Sequence, residues 1–181
     1  MQTLLLALTL LTSPQAAELA GITMPDEAAA SDGTKLVLNG LGLREKYWID
    51  IYVGGLYLTG KSSDAAGIVS QDKHKRVVMH FIYRKVTQKQ MLETFEEGFA
   101  KAGLTEKLSA EMATLRAMID RDILRNEKVI IEYIPGKGTS FTISGENKGV
   151  IAGTDFMKGI FSVFLGPKPA SEPLKKGMLG G

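Results

Sequence analysis

The sequence predicts a single α+β domain, and three observations carry that prediction. Two runs rich in β-branched and aromatic residues, "YWIDIYVGGLYL" from Tyr47 to Leu58 and "KRVVMHFIY" from Lys75 to Tyr83, read as strands. Two later stretches, Thr87–Ala102 and Ser109–Arg125, carry apolar residues at helical spacing and are polar on their outer sides, which suits helices that cover a sheet. No linker or internal repeat divides the chain, and 181 residues at 44% hydrophobic and 23% charged can bury a core without staples.

Taken in order, Pro25, Asp26, Asp32 and Gly33 predict a loop, and the alternation in "KLVLN" a first strand over Lys35–Asn39. Asn39-Gly40 with Gly42 reads as a turn. The strand over Tyr47–Leu58 is interrupted by Gly54-Gly55, which implies a bulge or the close approach of a packed helix. After the strand over Lys75–Tyr83, Thr87 is placed to cap a helix whose Met91, Phe95, Phe99 and Ala102 share a face. Met112, Leu115, Ile119 and Ile123 do the same for Ser109–Arg125. Glu127–Ile134 and Thr139–Ser144 form a hairpin through Pro135-Gly136, and "KGVIAG" is a further short strand. Asp155–Leu165 leaves so little polar surface that its helix should be largely buried; a weak helical turn at Leu174–Met178 then precedes a frayed tail.

Ahead of the domain, the apolar block Leu4–Leu11 followed by Pro14 and Ala16-Ala17 reads as a cleaved leader over residues 1–17, too short to remain as a spanning helix. The expectation is export to a bacterial periplasm, with a mature domain over 18–181 whose core lies at about 34–179, and not an integral membrane protein. No cysteine is present, which excludes thiol chemistry and thiolate metal sites. The 22 basic and 20 acidic residues are interspersed, without the dense basic patch that a nucleic-acid partner requires.

Motifs of catalysis are scarce. His74 and His80 have no third histidine to complete a histidine-rich metal site. The carboxylate pairs Glu96-Glu97, Asp120-Asp122 and Glu45-Asp50 suit solvated surfaces, and neither a phosphate loop nor a nucleophile elbow is present. No metal or other cofactor is expected.

In "NGLGLREKYWIDIYVGGLYL" and "ENKGVIAGTDFMKGIFSVFLGPKPASEPLKKGML" the chain resembles the chalcone isomerase superfamily, specifically its bacterial chalcone isomerase-like branch, over roughly Leu36 to Leu179. The resemblance implies an antiparallel sheet covered on one face by helices, with a ligand cleft between them. It also implies a set of positions. Arg44 falls where the plant isomerases hold the ligand's oxyanion, while Tyr52, Thr87, Thr94 and Val163 fall where those enzymes place a threonine, a tyrosine, an asparagine and a second threonine. Only the arginine is retained, which speaks against flavanone ring closure. Fatty-acid-binding members of the superfamily hold a carboxylate with an arginine and a tyrosine, and Arg44 and Tyr52 resemble that pair.

The function expected on this basis is a non-catalytic binder of a small amphipathic carboxylate such as a fatty acid, with Arg44, Tyr52, Thr87 and Thr94 as ligand contacts and Trp48, Tyr52, Phe161 and Phe164 lining the cleft. Tyr83 is within reach of the same cleft. Two alternatives stay open: a structural or protein-interaction domain, in which Arg44 only pairs with Asp50, Glu45 or Glu132, and an intramolecular lyase of the chalcone isomerase type.

Overall fold

A computed structural model of the chain describes residues 16–181. It opens with three short strands, β1 (Ala16–Leu19), β2 (Ile22–Pro25) and β3 (Glu27–Ala29), followed by two long ones, β4 (Lys35–Lys46) and β5 (Ile49–Leu58). Helix α1 (Ala65–Ser70), β6 (Lys75–Phe81), β7 (Lys85–Val86), α2 (Gln88–Lys101) and α3 (Ser109–Met118) come next. The chain then forms β8 (Ile123–Leu124), β9 (Lys128–Ile134), β10 (Gly138–Ile143), β11 (Glu146–Ile151), α4 (Thr154–Leu165) and α5 (Glu172–Met178). Seven strands pair antiparallel in the order β11-β10-β9-β6-β5-β4-β3, so the α+β class and the antiparallel sheet stand as expected. Most of the expected leader lies outside the described residues; Ala16 and Ala17 begin β1.

Period-two alternation decides which face each strand buries. Tyr52, Leu56, Val77, Met79, Ile131 and Phe141 turn to one side and form the main core with α2 and α4. There Phe95 meets Phe141 and Phe164 edge-on, at centroid distances of 6.3 and 6.4 Å. The opposite face of β4 and β5 is covered by the β1–β2 hairpin, where Met24, Leu36, Leu38, Val53 and Tyr57 make a second, smaller core. The sequence pattern predicts a loop at Pro25–Gly33 and no strand ahead of it.

Three expected boundaries are corrected. Asn39-Gly40 is not a turn: β4 runs through it, and Asn39 is an extra residue in the ladder between the Leu38–Tyr57 and Gly40–Leu56 pairs. Its buried carboxamide explains the choice of structure, donating to Ser62 O at 2.9 Å and Met178 O at 2.8 Å and accepting from Ser62 N at 2.7 Å. This bulge also moves the face parity by one residue, so Leu36, Leu38, Leu41 and Leu43 all meet the smaller core and Gly40, Gly42 and Arg44 all face the helices. The chain reverses instead at Tyr47 and Trp48, which therefore do not belong to β5.

Helix α3 ends at Met118 rather than Arg125. The polar groups that follow find better partners outside a helix: Asp122 accepts from Gln88 N at 2.9 Å, and Arg121 holds Glu127 through two bonds of 2.8 and 2.9 Å. Ile123 is buried as part of β8. The weak turn expected at Leu174–Met178 is a docked helix, α5, capped by Ser171, with Leu174 and Met178 fully buried. Its tail folds back through bonds from Gly180 N and Gly181 N to Gly177 O and Lys176 O, both at 3.0 Å. The close approach expected at Gly54-Gly55 is present, with Leu174 and Met178 of α5 over Gly54 and Met24 of β2 over Gly55.

One buried charge stands out in the main core. Lys75, 1% exposed, donates to Ile68 O and to Gln71 O (2.7 Å) at the end of α1, and its ammonium lies 5.5 Å from the Phe161 ring and 5.8 Å from the Tyr133 ring. Burial pulls its pKa down to about 8. Between that value and the ordinary one the unfolded chain holds the proton that the folded chain has released, so stability rises with pH across that window. We expect a gain of about 2 kcal/mol between about pH 8 and 10 in chemical denaturation, absent from Lys75→Met. Equal slopes in the two proteins would show that the ammonium stays charged in the fold.

Candidate functional site

Arg44 and Tyr52 are directly opposite each other in the antiparallel register of β4 and β5. A second bulge, at Ile51, sits just beyond this pair, and the Ile51 carbonyl accepts from both Ile82 N (3.0 Å) and Tyr83 N (3.1 Å). That contact draws the segment after β6 across the end of the sheet. Helix α2 closes the other side, started by a capping box in which Thr87 and Gln90 exchange side-chain-to-backbone bonds of 2.9 and 3.2 Å. A cavity of about 80 Å³ remains between them. Arg44, Lys46 and Tyr52 line it from the hairpin, Met79, Phe81 and Tyr83 from β6 and its continuation, and Gln90, Met91 and Thr94 from α2.

The polar groups of this cavity are unequally satisfied. The Tyr52 hydroxyl is buried and has no hydrogen-bond partner among the described residues. Burial pushes its pKa up, against a weaker downward pull from the Arg44 charge, so the phenol keeps its proton and remains a donor. An orphaned buried hydroxyl is costly, and its satisfaction by an acceptor in the cavity would recover that cost. Arg44 is half-buried and donates through Nη1 to Glu45 O at 2.9 Å. Among the described residues no carboxylate lies within salt-bridge distance of it. Of the ion-pair partners expected from sequence, Glu132 is taken by Arg76, and Glu45 offers only its backbone carbonyl. A guanidinium without a carboxylate and a phenol without an acceptor thus meet on one apolar wall, an arrangement suited to receiving an anion.

The other expected contacts divide. Thr94 lines the cavity, although its hydroxyl proton is given to Gln90 O at 2.9 Å. Thr87 does not line it, because its hydroxyl is used as the α2 cap. Trp48 is 95% exposed at the hairpin turn and is not among the described residues that line the cavity. Phe161 and Phe164 are interior residues of α4, the first beside Lys75 and the second against Phe95, and Val163 seals the seam of α4 against Gly98 of α2. The cavity wall comes from α2, not from the last long helix. Met91 belongs to that wall, and its helical spacing marked it only as buried, because periodicity distinguishes inside from outside but not core from cavity.

No aspartate, glutamate or histidine among the described residues lines the cavity. Among the described residues no cluster of three or more such side chains is arranged to hold a metal ion. His74 instead pairs with Asp32 at 2.9 Å beside the β3–β4 turn, holding that carboxyl well below its usual range, and His80 lies on the sheet face away from the cavity, where burial lowers its pKa.

A family model described as chalcone isomerase-like matches residues 16–180. No curated protein matches the chain. Among solved structures the fold is similar to that of a fatty-acid binding protein of Arabidopsis thaliana, with a TM-score of 0.72 at 18% identity over 91% of this chain and 96% of that one.

Proposed function

This chain belongs to the chalcone isomerase-like family, and from that premise we propose that it is a non-catalytic binder of a small amphipathic carboxylate such as a fatty acid, with Arg44 as the anion receptor. The observation that carries the reading is the buried, unpartnered Tyr52 hydroxyl directly across the ladder from Arg44. A carboxylate has two oxygens and accepts from both groups at once. Support for an acyl-type ligand comes from the apolar remainder of the wall and from the fatty-acid binding relative in fold. The described wall residues include no carboxylate or imidazole to act as an ordinary general base, which favours binding over an isomerase or lyase reaction.

The cavity is small beside ligand sites of roughly 300–1,000 Å³. It takes the carboxylate end as it stands, and a longer chain enters by displacing Met79 and Met91, unbranched side chains that repack readily. Export is part of the proposal: residues 1–17 are a cleaved leader and the mature protein works in the periplasm, with Ala16 and Ala17 then trimmed from β1.

Native mass spectrometry of protein recovered from the periplasmic fraction tests both parts, since its intact mass reads the cleavage point. With decanoate and palmitate as probes, Arg44→Ala is expected to raise Kd by about 10- to 100-fold and Tyr52→Phe by about 3- to 10-fold. Wild-type protein that recovers and binds no fatty acid would overturn the reading, and Arg44 would then be a structural group that braces the hairpin through Glu45 O.

A further inference from the structure

The hairpin that supplies Arg44 ends in an unusual turn. Lys46 pairs with Ile49, so Tyr47 and Trp48 are the two central residues, with φ of 53° and 60°. Left-handed conformation at both positions is the normal geometry of a two-residue hairpin, and Asn-Gly is its normal occupant. Bulky aromatic side chains there are strained, and the fold gives them little in return: Tyr47 is 80% exposed with the Lys46 ammonium over its ring, at 5.8 Å, and Trp48 is 95% exposed. Ile49 beside them is 44% exposed, and Leu124 of β8, at the same end of the sheet, is 49% exposed. The connection is direct, because Tyr83 N donates to Ile51 O and Arg125 N donates to Arg84 O.

This end of the molecule is also basic. Arg44, Lys46, Arg84, Lys85 and Arg125 face Glu45, Asp50 and Asp122, and only Lys85 with Asp122 forms an ion pair among them. Tryptophan and tyrosine prefer the boundary between water and hydrocarbon, and cationic neighbours favour an anionic surface. A two-residue tip is far too small for a stable protein interface, which needs about 800 Å² per partner. It is suited to shallow insertion into a bilayer by a protein in which, among the described residues, no helix is long and apolar enough to cross one.

We propose that the Tyr47–Trp48 turn docks on an anionic lipid bilayer and brings the cavity mouth to headgroup level. The turn lies just beyond Lys46 and Arg44 on the cavity wall, so docking places the anion receptor where a membrane-partitioned carboxylate presents its charge. This deepens the binding reading above and rests on it.

Trp48 is the only tryptophan in the chain, so emission excited selectively at tryptophan reports on the turn. The full mature chain is titrated with phosphatidylcholine vesicles with and without phosphatidylglycerol. A blue shift and protection from acrylamide with the anionic vesicles are expected, weakening with salt. Lys46→Glu should raise the lipid needed by about tenfold or more. A Tyr47→Asn, Trp48→Gly double variant, followed by co-sedimentation, should melt at a higher temperature because its turn residues suit the backbone, yet lose vesicle binding while keeping decanoate binding in solution. A structural role for the aromatics predicts the opposite change in melting temperature. Emission that ignores both vesicle types overturns the proposal, as does emission that shifts with protein concentration alone, which would mean that a second copy covers the turn. Vesicle binding without decanoate binding would leave docking intact and defeat the carboxylate reading instead.

Discussion

Gly42→Ala is expected to destabilise the fold by about 3 to 5 kcal/mol, through the helix that packs on it rather than through the strand that contains it. A Cβ at Gly42 would lie 2.2 Å from Leu174 O and 2.8 Å from Leu174 Cα, both backbone atoms that no side-chain rotation can move. Gly40 and Gly177 are in the same condition, against Gly177 O at 2.2 Å and Leu41 O at 2.3 Å, so β4 and α5 touch backbone to backbone. The helix must lift, and Leu174 and Met178, both fully buried, come out with it. Thermal melting should fall by roughly 10 °C for a domain of this size, and α5 amides should lose hydrogen-exchange protection before the rest of the chain. Gly60→Ala is the control, because no atom of the described residues lies within 4 Å of its added methyl. Unchanged protection in α5 of the Gly42 variant would refute the close packing.

Arg76→Met is expected to cost about 3 to 5 kcal/mol by stranding Glu132. That carboxylate is 3% exposed on the sheet face opposite the helices, and it accepts from Arg76 Nε at 2.5 Å, from Arg76 Nη2, and from Ser31 N at 2.9 Å. Arg76 also donates to Ala29 O at 2.8 Å, so one guanidinium joins the centre of the sheet to its edge strand β3. Adding Glu132→Gln to the variant should recover much of the loss, because an unpaired amide is far less costly to bury than an unpaired charge. A denaturation cycle over the four proteins measures the coupling. Additive losses would mean that water, not Arg76, stabilises the carboxylate.

Where local pattern and tertiary context agree, the sequence was sufficient. The α2 helix begins at the threonine that its capping chemistry requires, the β9–β10 hairpin turns at Pro135-Gly136, and α4 is as buried as its composition demands. Asn39-Gly40 failed because the same dipeptide satisfies a turn locally and a bulge globally. Its deciding hydrogen bonds go to Ser62 and Met178, 23 and 139 positions away. The β1–β2 hairpin failed for a related reason, since "AAEL" and "ITMP" bury themselves only against β4 and β5.

The sequence by itself determined the α+β class, the order and kind of nearly every later element, the resemblance on which the family rests, and Arg44 with Tyr52 as the pair to watch. The class and the elements are written in spacing, capping and composition, which act over a few residues, whereas the Arg44–Tyr52 pair is what the family resemblance implied. Only the tertiary structure decided that Arg44 and Tyr52 share one wall, that α2 rather than α4 faces them, that Trp48 points to solvent, and that Glu132 serves Arg76. The Arg44–Tyr52 wall and the place of Trp48 depend on the two bulges of the β4–β5 ladder, and the Glu132–Arg76 pair on the β6–β9 register; a shift of one residue in an antiparallel ladder carries every side chain to the other face.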